Sequence, residues 1–502
     1  MQKYVIGLDN GGTSSKAAVF DVEGNELATA GRSTKMITPK SGYTERDMEE
    51  LWIANCECIR EAIDKAGIDA EDVAGLAVCG HGKGLYAWGK DDKPAYNGII
   101  STDGRAWKYP KKWKEDGTYE KIHDKTCQDI LACQQVSILA WMKDNEKNVY
   151  DNIKYVFSVK DYIRFRLTGE AYCEVTDISG SGLMDITTVS FDREVLEAYG
   201  IPEAYDMLPP IKYSYENCGY ITEEAAALTG LKVGTPVAGG MFDIDACAVA
   251  MDITSPEQLI TIAGTWSINE YISKTPVMDG TVAMNSRYAI PGYYLIEESS
   301  ATSSGNLEWY IKNFVRKEDI PEGEEKYDYI NRVVDEVKPE ECEVYFLPFL
   351  YASNAHPLGK GSFIGLTSFH TQAHMLRAIY EGVIYSAKTH IDKLLMSREE
   401  PKAIRMAGGP CRSKIWVQMF ADILGYPIEV VDANELGALG CGMAACVAAG
   451  IYPDYEEAAR KMVHIREAVM PDMEKHEIYL EKYAKYRAVS AALDTVWDRF
   501  EV

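Results

Sequence analysis

The chain has 502 residues, 46% of them hydrophobic, with 52 Lys and Arg against 77 Asp and Glu, a net charge of −25. That length exceeds one ordinary core and predicts two large domains or three smaller ones, and an acidic balance without any basic run argues against a nucleic-acid partner. The twelve cysteines form no CxxC pair and no zinc spacing and no secretory leader is read, so free thiols in a cytoplasmic protein are expected, with no membrane partner, because "GALGCGMAACVAAG" from Gly437 falls short of the roughly 20 apolar residues of a span.

The opening "VIGLDNGGTSSKAAVF", Val5 to Phe20, predicts strand, turn and strand, and "VEGNELATA" a second turn and a third strand. An amphipathic helix is predicted over roughly Met48 to Lys65, followed by a short strand, "GLAVCG". In "VAGGMFDIDACAVAMD" a strand ends at Gly239 and Gly240, and Asp243 stands at a helix start. "QLITIAGTWSINEYIS" predicts a second hairpin that turns at Gly264, Thr265 and Trp266. Beyond it helical patterns alternate with short strands: "QAHMLRAIYEGVIYSAKTHIDKLL", "AIRMAGG", "SKIWVQMFADILG", "PIEVV" and the Gly/Ala-rich helix. Such alternation predicts an α/β domain with part of its sheet parallel. Two hairpins with hydroxyl-bearing glycine turns predict two domains of related architecture, divided near residues 248 to 257.

Neither GxxxxGK[ST] nor GxGxxG occurs. The opening turn is open to two readings. It is an ordinary hairpin turn, or it is a phosphate cradle. In the second, Gly11 and Gly12 admit close backbone approach, their amides and that of Thr13 donate to anionic oxygens, and Lys16 adds charge. Asp9, at the strand end, would then hold a magnesium ion, usually through water. Asp243 reads as a helix N-cap or as a general base, kept ionised by the positive helix end and placed to take a proton from a substrate hydroxyl. In "RMAGGPCRSKIW" the paired Gly408 and Gly409 make a plain strand-to-helix turn, with Ser413 as cap, or a gap that admits the flat face of a nucleotide base or ribose. His370 and His374 share the spacing of a zinc protease helix but lack its glutamate after the first histidine, so metal-dependent hydrolysis is not expected.

Taken together, "GLDNGGTSSKAAVFD", "KDYIRFRLTGE", "GTPVAGGMFDIDA", "FLPFL", "GSFIGLTSFHTQAHMLRAIYEGV" and "GALGCGMAA" resemble, in order and over nearly the whole chain, the FGGY family of carbohydrate kinases. Within the family "GYTERDMEELW", "GKGLYAW", "DKPAYNGIISTDGRA", "AGTW" and "TSSGNLEWY" are most similar to its L-xylulose kinases, including those proposed to act on 3-keto-L-gulonate. Where D-xylulose kinases show a GQMHG-like segment, this chain reads "CGHGKG".

The resemblance implies two actin-like (ribonuclease H-like) α/β ATPase domains flanking a catalytic cleft, a sugar-binding one over 1–250 and a nucleotide-binding one over 251–502. It implies ATP with Mg2+ and phosphorylation of a primary hydroxyl of a ketose, L-xylulose or 3-keto-L-gulonate, with D-xylulose or ribulose as the alternative and a homodimer as a common family assembly. By that likeness Asp243 is the base, Asp9 contacts the metal, Thr13 the phosphates, and Lys16 replaces a basic residue often found there. Gly264, Thr265, Ser304, Glu308, Gly409 and Ser413 match nucleotide-site positions. His81, Lys83, Asp103 and Arg105 lie in the segments that line the sugar site, although Asp103 and Arg105 read equally as a structural ion pair. Two readings from other classes are a non-catalytic sugar or nucleotide sensor on the same scaffold and a dinucleotide-dependent dehydrogenase, which the missing GxGxxG disfavours.

Overall fold

The computed structural model describes residues 3–264, 266–282 and 284–500. The chain forms two compact units, one of Met1–Thr254, Ile272–Ile296 and Ala433–Val463, the other of Ser255–Tyr271, Glu297–Asp432 and His464–Val502. The first unit thus takes in two segments from the later half of the chain. Among the described residues no helix is long and apolar enough to cross a membrane.

The first unit is built on the strand Tyr4–Asn10. It pairs antiparallel with Ser14–Asp21 through the glycine turn and parallel with Val73–Gly80. Ser14–Asp21 pairs onward with Glu26–Ser33, and on the other side Val73–Gly80 is joined by Pro236–Ala238 and Met241–Phe242. Strand side chains alternate between faces, and the central strand uses both. Ile6 and Leu8 share a core with Leu51, Trp52 and Ile59 of the helix Met48–Ala66. That helix has apolar residues at helical spacing, is capped by Asp47, and stops at Gly67 with φ 63°.

The other face of the strand, Val5, Gly7 and Asp9, lies under the Gly/Ala-rich helix Leu436–Ala448. A side chain at Gly442 would approach Val5 to 3.4 Å, one at Gly7 would come within 1.8 Å of the Ala438 carbonyl oxygen, and one at Gly437 within 2.9 Å of Asp9 Oδ2. The small residues of "GALGCGMAA" therefore serve close helix-to-sheet approach. Their spacing also carries Asp9 beneath the first turn of that helix.

The second unit repeats the plan. Gln258–Ala263 pairs antiparallel with Ser267–Ser273 and parallel with Ala403–Gly408, which continues parallel to Ile428–Val431. Ile465–Val469 pairs antiparallel with that last strand. The helices Gln372–Leu395, Lys414–Leu424 and Met473–Trp497 fall where the alternating patterns predict helices or, for the last, in the C-terminal segment. Each unit thus combines an antiparallel hairpin with parallel strands, as the paired glycine turns led one to expect.

Gly7→Ala forces a carbon against the Ala438 carbonyl and should lower unfolding free energy by about 1–3 kcal/mol or more. Gly12→Ala, whose added carbon meets nothing within 4 Å, should stay within about 0.5 kcal/mol of the parent. Urea unfolding of both variants checks the contrast.

Candidate functional site

The carboxyl ends of three neighbouring strands in the first unit bring the acidic candidates together. Asp9 stands opposite Cys79 in the parallel ladder, and Met241 and Phe242 pair with Cys79 and Gly80 from the other side. Asp243 follows as the first residue of the helix Asp243–Ala250. Asp243 is not the cap of this helix: Phe242 occupies the cap position, and no side chain makes a cap hydrogen bond there. The bend that delivers Asp243 requires glycine: Gly240 has φ 75°, and a side chain there would sit 1.9 Å from the Val78 carbonyl oxygen.

Burial, and then neighbouring negative charge, shapes both acids. Burial, reinforced by the charge of Glu435 and opposed by Lys16 and a Cys79 hydrogen bond, pushes the Asp9 carboxyl up to about 6. Burial and the neighbouring Asp9 and Asp177 carboxylates push Asp243 well above the ordinary carboxylate range, against the pull of the Ile244 amide and the Lys83 ammonium. Asp9 Oδ1 is buried and has no hydrogen-bond partner among the described residues. An orphaned carboxylate oxygen of this kind fits a magnesium ion, which commonly takes one or two carboxylates and completes its shell with water and phosphate oxygens. Among the described residues no group of three or more His, Cys, Asp or Glu is placed to hold a metal.

The glycine turn beside Asp9 is open. Gly11 and Gly12 are half-buried and Thr13 is exposed. Arg46 donates through Nη2 to the Gly12 carbonyl, while its Nε and Nη1 are buried without partners among the described residues. Lys16 does not stand free: its Nζ lies 2.9 Å from both carboxylate oxygens of Glu435.

Of the residues expected at the sugar, His81 and Lys83 stand by Asp243. The His81 ring is pushed down to about 4, chiefly by burial and further by the charges of Arg46 and Lys83, although the Gly82 backbone pulls the other way. It is therefore neutral near pH 7. Its Nδ1 faces the Gly82 carbonyl at 3.3 Å and its Nε2 the Tyr86 hydroxyl at 3.0 Å, an arrangement that suits a proton on Nδ1 and an acceptor at Nε2. Lys83 adopts φ 63°, and its Nζ lies 5.5 Å from the centre of the Phe242 ring.

Asp103 and Arg105 are brought to each other. Arg105 Nε and Nη2 each lie 2.9 Å from an Asp103 oxygen, Nη2 also reaches Glu45 at 2.7 Å, and the Thr44 amide donates to Asp103 Oδ2. Both side chains are fully buried, so this pair fastens its loop to the strand that carries Glu45 and Arg46.

In the second unit, Ser304, Glu308, Gly409 and Ser413 line a single cavity of about 320 Å³. Its walls include Tyr380 and Trp416, whose rings stack at 4.1 Å with 23° between planes, together with Leu307, Tyr327, Asn331 and Arg412. Ser413 caps the helix Lys414–Leu424 by accepting from the Trp416 amide, and its hydroxyl donates to Asn331 Oδ1 at 2.6 Å. Glu308 accepts from the Tyr327 hydroxyl at 2.6 Å. Gly264 is tied to the cavity edge, since its carbonyl accepts from both the amide and the hydroxyl of Ser304. Gly408 has φ 106° and leaves no room for a side chain against the Ala263 carbonyl, whereas a carbon on Gly409 would meet only Ser304 Oγ, at 3.8 Å. Thr265 lies outside the described residues.

Sequence reasoning missed Arg46, Asp177, Glu435 and the aromatic wall of Tyr327, Tyr380 and Trp416. A weak signal exists for Arg46: in an alternating strand beside Glu45 it must face the opposite side. For the others nothing local marks the role.

The FGGY family of carbohydrate kinases, N-terminal domain, matches residues 4–250, and the family's C-terminal domain matches residues 259–449. The chain is 38% identical over 495 residues to the L-xylulose/3-keto-L-gulonate kinase of Escherichia coli (strain K12), covering 98% of each. It is 35% identical to a probable L-xylulose kinase of Haemophilus influenzae, covering 98% of this chain and 99% of the relative. The crystal structure of gluconate kinase from Lactobacillus acidophilus covers 100% of both chains with a TM-score of 0.89 at 24% identity, which establishes the actin-like (ribonuclease H-like) α/β fold. Both halves of the family pattern and both sets of strand-end and cavity residues being present, the chain belongs to the FGGY family of carbohydrate kinases, ATP-dependent sugar phosphotransferases.

Proposed function

We propose that this kinase phosphorylates a primary hydroxyl of a ketose, L-xylulose or 3-keto-L-gulonate, with sugar binding assigned to residues 1–250 and nucleotide binding mainly to 251–502. The observation that carries the chemistry is the placement of Asp243 at a strand end beside Asp9, with a neutral histidine and a lysine as neighbours. The choice of sugar follows the activities named for the whole-chain relatives.

Phosphoryl transfer demands alignment and charge neutralisation more than covalent work from the protein. Asp243 takes the proton of the attacking hydroxyl, and burial beside Asp9 and Asp177 raises its affinity for that proton. Asp9 would hold magnesium through its free Oδ1. Magnesium bound there would neutralise charge on the phosphate oxygens. The amides of Gly11, Gly12 and Thr13 donate to phosphate oxygens, and Lys16, fixed by Glu435, adds a partly compensated positive charge. Lys83 binds a sugar hydroxyl or a sugar carboxylate, whereas His81, with both ring nitrogens engaged by Gly82 and Tyr86, shapes the wall beside it. In the second unit the stacked Tyr380 and Trp416 wall takes the flat base of the nucleotide, while Gly409 leaves room for its approach.

A coupled ATPase assay across L-xylulose, 3-keto-L-gulonate, D-xylulose, L-ribulose and D-ribulose tests the substrate. The highest kcat/KM is expected on one of the first two, and equal rates on all five would overturn that choice. Asp243→Asn should lower kcat by about 10²- to 10⁴-fold while the variant still binds ATP and unfolds cooperatively; near-parental turnover would refute the base.

The imidazole of His81 should remain neutral on lowering the pH until about 4. Because folding depresses its affinity for protons, its contribution to stability is complete above the ordinary histidine range near 6.5 and is lost as pH falls through that range toward 4. Nitrogen chemical shifts of this ring followed against pH check it, and a midpoint near 6.5 would contradict the burial argument.

A further inference from the structure

The segment that delivers Asp243 is gripped at both ends by a buried charged network for which the reaction itself has no stated use. At the near end, Phe242, the residue before the acid, donates its amide to Thr176 Oγ1 at 2.8 Å. The Thr176 hydroxyl in turn donates to Glu174 Oε2 at 2.7 Å, and the Thr176 amide donates to Glu174 Oε1 at 3.0 Å. A hydroxyl whose proton is committed to a carboxylate has only lone pairs left for the Phe242 amide. Because the Phe242 amide can only donate, the Thr176 oxygen accepts from it and the hydroxyl proton goes to Glu174.

At the far end, Arg164 Nη1 donates to the Gly239 carbonyl at 2.6 Å and lies 2.7 Å from Asp161. Lys160 joins the two ends: its Nζ lies 2.8 Å from Asp161, 3.3 Å from Glu174 and 3.8 Å from Asp177. None of these side chains is more than 2% exposed in its ion pairs, and Thr176 itself is fully buried. Charges buried so completely are costly unless paired, and a paired network holds one geometry firmly.

Between the two grips the backbone has little freedom to adjust. A side chain at Gly239 would meet the Tyr213 carbonyl oxygen at 2.4 Å, and Gly240 is wedged against Val78. The ring of Phe242 fills the space over Gly82, where an added carbon would come within 2.5 Å of it. A shift at Phe242 would thus pass directly into Asp243.

We propose that Thr176, oriented by Glu174 and Lys160, is a positioning residue that sets the height and direction of the Asp243 carboxylate through the Phe242 amide. This inference rests on Asp243 being the base. Misplacement of a reacting group by about 1 Å suffices for a loss of about 10²-fold, so the grip would act on turnover rather than on substrate affinity.

The test compares Thr176→Val, which keeps shape and removes the hydroxyl, with Thr176→Ser, which restores it. Thr176→Val is expected to lower kcat about 10- to 100-fold with KM for sugar and ATP within about 3-fold of the parent, and Thr176→Ser to recover most of the loss. A kcat within about 2-fold of the parent in Thr176→Val would overturn the proposal. So would a loss that follows the melting temperature and is not relieved by Thr176→Ser, because that marks a purely structural role. Should Thr176→Val fail to fold, Glu174→Gln decides, with a lowered kcat at retained KM expected and an unchanged kcat contrary. Asp243→Asn measured alongside separates the two claims: retained turnover there removes the base itself, whereas its loss together with an unaffected Thr176→Val removes only the positioning role.

Discussion

Close approach of the Gly/Ala-rich helix to the central strand of the first unit is the constraint on which the candidate site depends. Only because Gly7 lacks a side chain can the backbone at Ala438 settle against the sheet, and only because Gly437 lacks one does Asp9 keep its place beneath the first turn of that helix. The same helix is preceded by Glu435, which brings a second carboxylate to Asp9 and claims Lys16. A segment from late in the chain thus sets the charge environment of a residue near its start.

That environment is negative and only partly compensated. Glu435 acts on Asp9, and Asp9 and Asp177 act on Asp243, against Lys16 and Lys83. Asp9 and Asp243, buried and beside other carboxylates, hold protons more tightly than usual. They also favour any bound cation. The arrangement is unstable as a core device and sensible as a functional one: a base with raised proton affinity beside an oxygen left without a partner. His81 shows the complementary effect, since burial, aided by the charges of Arg46 and Lys83, keeps its ring neutral and hydrogen-bonded to the uncharged Tyr86 hydroxyl.

The second unit solves a different problem with different material. Its cavity is walled by stacked aromatic rings and edged by two serines, a glutamate and glycine, a mixture of apolar area and a few fixed polar groups typical of small-molecule sites. Gly408 and Gly409 divide the work. The first is required by its backbone conformation and its contact with the neighbouring strand, whereas the second clears space at the cavity.

Much of this was legible along the chain. Alternation marked the strands of both hairpins, helical spacing marked Met48–Ala66 and Gln372–Leu395, and paired glycines marked the turns, because each of these signals arises between residues a few positions apart. Family likeness carried Ser304, Glu308, Gly409 and Ser413 to what proves to be one cavity. Only the tertiary structure decided that Lys16 meets Glu435, that Arg105 also reaches Glu45, that Tyr380 lies on Trp416, and that Thr176 holds the amide before Asp243. Such contacts join residues far apart in the chain or on separate elements. Their energies depend on routing and burial, which leave no periodic trace in the order of amino acids.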